Sequence, residues 1–236
     1  HLLCRGFSRE ETEDACIELN FLGIHNFLAI RGDETNYIPP PPGRSTNGVN
    51  VYACELVEQL VKLKSAKYLE NLSDADPIDM CIGVAGYPEK HVESPNLKTD
   101  IAWLKRKVDK GADYVVTQMF FDNKYFFDFV KECRAAGITV PIIPGLKILN
   151  SPKQTTSLPK NFNITIPDDL VDEINESTKS SSRAESRDDK AIARTREIGV
   201  NWTIKQCEEL LNADVPCIHF YVMNDAESVI NVIRGL

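Results

Sequence analysis

The chain lacks the features that would send it to a membrane, a nucleic acid or an oxidising compartment. No apolar run approaches the length a bilayer-spanning helix requires, and the first residues show no secretory hydrophobic region. Basic residues are in deficit, 27 against 35 acidic, and the net charge of -8 leaves no global positive field to hold nucleic acid. Seven cysteines, an odd number, are scattered without a CxxC pair, and the four histidines (His1, His25, His91, His219) have no metal-ligand spacing. These absences argue against a disulfide scaffold or a local zinc motif. They predict reduced, buried thiols, no bound metal, and a soluble cytoplasmic protein.

What is present is a set of short apolar runs, each ending abruptly in polar residues. Tyr114 to Gln118 ends in Thr117 and Gln118, with Asp122 close behind; Ile24 to Ile30 ends in Arg31-Gly32-Asp33; Met80 to Ala85 leads to Tyr87-Pro88-Glu89-Lys90-His91. With His1 to Cys4, Val140 to Leu146 and Cys217 to Val222 they make six strand candidates. A run of that length closed by polar groups reads as a buried parallel strand delivering side chains to one end of a sheet. Helical patterns follow at Glu10 to Leu19, Tyr52 to Ser65, Lys98 to Lys110, Lys124 to Ala136 and Asp225 to Ile233, and a longer, mostly helical excursion follows the fifth strand. Strict alternation of this kind predicts an α/β fold with right-handed parallel crossovers in one domain spanning residues 1–236.

Two connections are long. Asp33 to Asn50 carries four consecutive prolines, Pro39 to Pro42, and is expected to overhang the site. Glu176 to Lys190 is Ser-rich and charged, and is expected to be an exposed, partly helical connection before a helix from about Asp188 to Leu211. On the helix of residues 98–110, Ile101, Leu104 and Val108 form the stripe that packs on the sheet, and Gly111 suits the position just past the helix end. Asp100, Trp103 and Lys107 share a neighbouring face beside Arg106. An exposed, salt-bridged face is the commoner meaning of such charges; a site for a phosphate-bearing ligand is the functional one.

Five of these motifs, Arg31-Gly32-Asp33, Ala85 to His91, Leu104 to Ala112, Thr117 to Asp122 and Ile143-Pro144-Gly145, resemble methylenetetrahydrofolate reductases in order and spacing, and His219-Phe220-Tyr221 resembles that family's last strand. The resemblance implies a TIM-type (β/α)8 barrel, with about six of its eight β/α units in this chain, active at the carboxyl ends of the strands. It implies FAD as cofactor, NADH or NADPH as reductant, and reduction of 5,10-methylenetetrahydrofolate to 5-methyltetrahydrofolate by a homo-oligomer. The flavin-binding positions it implies are His1, Arg31, Gly32, Asp33, Tyr52, Ala53, Tyr87, His91, Asp100, Arg106 and Lys107. Asp33 and Gln118 are the implied catalytic residues, and these two with Gln154 the substrate contacts. A fixed carboxylate at Asp33 suits the cationic iminium through which the folate reacts.

The pattern also departs from the family. The strand that carries the family's general-acid glutamate has no counterpart, nor does the one after it, so the 236-residue polypeptide alone is expected to be inactive and poorly soluble. Asp225 stands where relatives often carry a base for the folate tail, Leu158 where a phenylalanine can stack, and Ile148 where proline is common. Two other readings stay open: a flavin- or folate-binding barrel without turnover, and a lyase or aldolase using Lys147 as a Schiff-base amine.

Overall fold

The computed structural model describes residues 1–32, 48–179, 187–223 and 225–236. Six strands lie among them: β1 (Leu2–Leu3), β2 (Asn26–Ile30), β3 (Cys81–Gly86), β4 (Tyr114–Met119), β5 (Ile142–Leu146) and β6 (His219–Phe220). The intervening helices are α1 (Arg9–Phe21), α2 (Ala53–Leu63), α3 (Leu97–Asp109), α4 (Asn123–Ala135), α5 (Gln154–Phe162), α6 (Asp168–Lys179), α7 (Arg187–Asn212) and α8 (Ala226–Gly235). The sheet runs in chain order, β1-β2-β3-β4-β5-β6, and the β1–β2, β2–β3 and β5–β6 pairs are parallel. Neighbouring parallel strands joined through helices are the β/α arrangement of barrel folds. All six expected strands are present, and each of the five expected helices is found within a few residues of its predicted limits.

The chain divides into two compact units. The first takes His1–Gly86, Ile101–Val115 and Ala136–Pro141. In it Phe27 pairs in register with Ile82 and Ala29 with Val84, and all four side chains are buried. Helix α1 starts at Arg9 because Ser8 and Glu11 cap it reciprocally: Ser8 Oγ accepts from the Glu11 N–H at 3.1 Å and Glu11 Oε2 from the Ser8 N–H at 2.8 Å. Such a cap contributes on the order of 1 kcal/mol. Buried Gln59 ties α2 to the start of α1, donating to the Arg9 carbonyl at 2.7 Å while accepting from Asn50 at 2.7 Å. At the other end of α3, Gly111 has φ +111°, and a Cβ there would come within 2.7 Å of Val61. Both the backbone and the contact require glycine at the predicted position.

The second unit takes Tyr87–Asp100, Val116–Ala135 and Ile142–Leu236. Its core joins Met119 and Phe121, at the end of β4, to Leu149, Leu158, Ile164, Ile166, Leu170 and Ile174. The excursion beyond β5 is therefore part of the core. Leu170 and Ile174, one turn apart on α6, are fully buried and each contributes roughly 1.5–3 kcal/mol by leaving water. Trp202 of α7 packs on the cluster and donates its indole N–H to the Phe121 carbonyl at 2.8 Å.

The expected connection is helical at both ends, as α6 runs to Lys179 and α7 begins at Arg187; residues 180–186 lie outside the described residues. One expectation is corrected. All seven cysteines are unpaired, but not all are buried. Burial pushes Cys4, Cys16 and Cys133 to about 12 and Cys207 to about 11. Cys54 and Cys81 are half-buried, and Cys217 is exposed in the irregular segment before β6, which begins only at His219. No helix among the described residues is long and apolar enough to cross a membrane.

Candidate functional site

Each unit carries polar residues at its strand ends, most of them just past the carboxyl end. In the first unit, Arg31 and Gly32 follow β2, Gly32 with φ +88°, and His1 is exposed before β1. Exposed Tyr52 caps the start of α2, and Ala53 is its first residue. Asp33 lies outside the described residues, as do Pro39 to Pro42. On α3 the Lys107 ammonium donates to the Ala85 carbonyl of β3 at 2.5 Å, which draws it along the sheet end. Arg106 instead turns outward, its guanidinium carbon 4.6 Å from the ring centroid of half-exposed Trp103. The predicted stripe is in place, with Ile101 and Leu104 buried and Val108 partly so.

The loop after β3 belongs to the second unit and is built around Asp100. One Asp100 oxygen accepts from the His91 N–H at 3.1 Å and the other from the Ser94 hydroxyl at 2.8 Å, and the residue is only 9% exposed. Of the two readings of this face, the exposed one does not hold for Asp100, because the loop folds over this end of α3. Tyr87 and His91 meet edge to face, ring centroids 4.7 Å apart. His91 Nδ1 accepts from the Glu93 N–H at 3.2 Å, so in the neutral ring Nε2 carries the proton. Tyr87, His91 and Asp100 are thus brought together. Glu89, not singled out from sequence, holds the Thr165 N–H between its two oxygens at 3.0 and 2.8 Å. Burial pushes its carboxyl above the ordinary 4.5, with the Asp122 charge adding to the effect.

Beneath the ends of β4 and β5, buried Thr117 organises the second unit. Its Oγ1 accepts from the Gly145 N–H at 2.9 Å and its carbonyl from the Tyr221 hydroxyl at 2.8 Å. Burial pushes that hydroxyl up to about 12. A Cβ on Gly145 would lie 2.2 Å from the Thr117 carbonyl oxygen, so only glycine allows the approach. Gln118 is half-buried and its side-chain oxygen accepts from the Met119 N–H at 3.0 Å.

A cavity of about 110 Å³ opens at the ends of β5 and β6, bordered by Lys147, Asn150, Gln154, Tyr221, Asp225 and Ser228. Gln154 Oε1 accepts from the N–H groups of Asn150 at 2.8 Å and Ser151 at 3.3 Å, fixing the start of α5. Asp225 caps α8, accepting from Ser228 Oγ at 2.6 Å and the Ser228 N–H at 3.2 Å, and also from Asn150 Nδ2 at 3.3 Å. The Ser228 hydroxyl first, then its N–H, Asn150 and the Arg196 charge hold the Asp225 carboxyl below the usual 3.8, against the opposing effect of burial. Lys147 is half-buried; burial lowers its ammonium from 10.5, and the Asp225 charge offsets that only in part. Sequence spacing could group neither Asn150 nor Arg196 with Asp225, since the contacts join residues far apart in the chain.

Comparison with known proteins places relatives beside this geometry. The family model described as methylenetetrahydrofolate reductase matches residues 1–236. A Caenorhabditis elegans protein named probable methylenetetrahydrofolate reductase (NADPH) is 30% identical over 237 residues, covering 100% of this chain and 32% of its own length. The Escherichia coli 5,10-methylenetetrahydrofolate reductase is 31% identical over 227 residues, covering 96% of this chain and 66% of its own. The chain thus spans about a third of the eukaryotic relatives it matches. Among solved structures, a Clostridium thermocellum protein described as binding two copies of 5-methyl-5,6,7,8-tetrahydrofolic acid superposes with a TM-score of 0.54 at 15% identity, covering 99% of this chain and 69% of the other. That likeness concerns the fold alone.

Proposed function

Because the chain belongs to the methylenetetrahydrofolate reductase family, we propose that it is the catalytic barrel, a single domain over residues 1–236, of an enzyme reducing 5,10-methylenetetrahydrofolate to 5-methyltetrahydrofolate with NADH or NADPH. The observation that carries this reading is the family match over every residue of the chain. A cytoplasmic homo-oligomer goes with it, and the unpaired state of all seven cysteines suits a reducing compartment.

The residues fit FAD chemically, each group by its own character. Arg106 and Lys107 supply positive charge for a pyrophosphate, with Arg31 and Gly32 at a strand end and His1, Tyr52 and Ala53 as further contacts. Tyr87 and His91 offer ring surface, and Asp100 holds their loop through bonds made within the protein. Held by these residues, FAD would supply the hydride-transfer chemistry between nicotinamide and folate. The chain's own work is positioning and electrostatics. Gln118, its oxygen held by Met119, presents its amide N–H groups to a pterin edge, and Gln154 stands at the folate end. Asp33 contributes a negative charge that stabilises the folate iminium.

The test is spectroscopic, on a purified polypeptide that joins this chain to the strand carrying the family's general-acid glutamate, supplied with FAD. NADH or NADPH should bleach the flavin band and methylenetetrahydrofolate should restore it. A protein that takes up no flavin, or one whose reduced flavin ignores the folate, would sink the reading.

A further inference from the structure

The cavity at the ends of β5 and β6 is bordered by a cation, Lys147, that makes no ion pair among the described residues. Lys147 directly follows β5, and its Nζ meets the Tyr221 carbonyl at 3.4 Å, long for an ammonium donor. Among the described residues no carboxylate lies within ion-pair distance of it. Burial lowers its pKa, and the Asp225 charge, shared with Arg196, offsets that only in part. Asp225 borders the same cavity, yet its oxygens are committed to Ser228, to Asn150, and to Arg196, whose Nε is 3.3 Å away. The acid is built into the start of α8, where the helix dipole favours a negative side chain and would oppose a positive one. The base is left over.

Size and donor chemistry narrow what completes it. About 110 Å³ is well below the roughly 300–1,000 Å³ of pockets that enclose a whole ring-bearing ligand, so the cavity suits a terminal group. Lys147 and Gln154 both border it, the first with its ammonium and the second with its amide oxygen already occupied. A desolvated cation and one further donor bordering the same cavity match a carboxylate.

We propose that Lys147 binds a carboxylate at the tail of the ligand and makes this protein prefer a pteroylglutamate to the same pterin without its glutamate. The inference rests on the folate reading above and deepens it: the tail-binding base stands at the end of β5, at position 147, and not at position 225 on the approach to α8.

Equilibrium binding of 5-methyltetrahydrofolate and of the pteroyl amide in which NH2 replaces the glutamate tests it, with the purified protein, Lys147→Met and Lys147→Arg. The unaltered protein should prefer the glutamate form by about tenfold, the size of one charge-assisted bond, and the preference should weaken with added salt. Lys147→Met should bring the two affinities to within about twofold while binding the amide as before, which also shows that the variant is folded; Lys147→Arg should keep most of the preference. A full preference retained in Lys147→Met overturns the proposal. Binding of neither form to the unaltered protein would instead remove the folate reading, and this inference with it.

Discussion

The loop after β3 and the cavity beyond β5 and β6 both centre on a carboxylate, and they use it to opposite ends. Around Asp100 the protein supplies both partners, the His91 N–H and the Ser94 hydroxyl, and the loop closes on itself. Around Asp225 the protein again supplies the partners, but the neighbouring Lys147 is left facing a distant carbonyl. The first region is shaped by its own hydrogen bonds before any ligand arrives. The second is complete as a helix start and incomplete as a charge balance. A charged residue close to a proposed site is therefore informative only after its existing partners have been counted.

Three substitutions sharpen the contrast, in falling order of effect. Gly145→Ala should cost the most, on the order of 3 kcal/mol, because the new methyl meets the Thr117 carbonyl oxygen, which is backbone and has nowhere to go. An unchanged urea midpoint would mean that the β4 and β5 ends are not as closely apposed as described. Asp100→Ala should cost about 1.5–3 kcal/mol by orphaning the His91 N–H and the Ser94 hydroxyl, and thermal melts of the Ala and Asn variants should both show the loss. A melt identical to that of the parent would place Asp100 with the charges that wait for a ligand.

The smallest effect is one of pH. Glu89 is raised in the folded state, so the folded chain holds its proton over a range where the unfolded chain has released it. Its favourable contribution is present below the usual 4.5 and is lost as pH climbs through the raised folded value. Glu89→Gln keeps an acceptor for Thr165 and removes the charge, so the difference in urea midpoint between variant and parent should grow in the variant's favour as pH rises through that window. A difference that stays flat with pH would show that the carboxyl titrates normally.

Much of this was legible in sequence because local periodicity carried it. Short apolar runs stopped by polar residues located all six strands, and the spacing of Ile101 and Leu104, with Gly111 after them, located the buried face and end of α3. The charges on that helix were less legible. Asp100 reads as surface until the loop carrying His91 and Ser94 folds over it, and Cys217 reads as strand although β6 begins later. The pairing of Asn150 with Asp225 spans 75 residues, and no periodic signal reports it. Family resemblance supplied the site residues, but it says nothing about which of them already have protein partners.

The tryptophans add a practical consequence. The chain has two, and they fall in different compact units: Trp103 is half-exposed beneath the Arg106 guanidinium, while Trp202 is packed on an apolar cluster with its indole N–H engaged. Each unit thereby carries its own built-in fluorophore, one in a half-exposed, charged setting and one partly buried against apolar side chains. Red-shifted and blue-shifted emission can be followed side by side in a single unlabelled sample, and a melt in which the two colours change at different temperatures would reveal one unit letting go before the other.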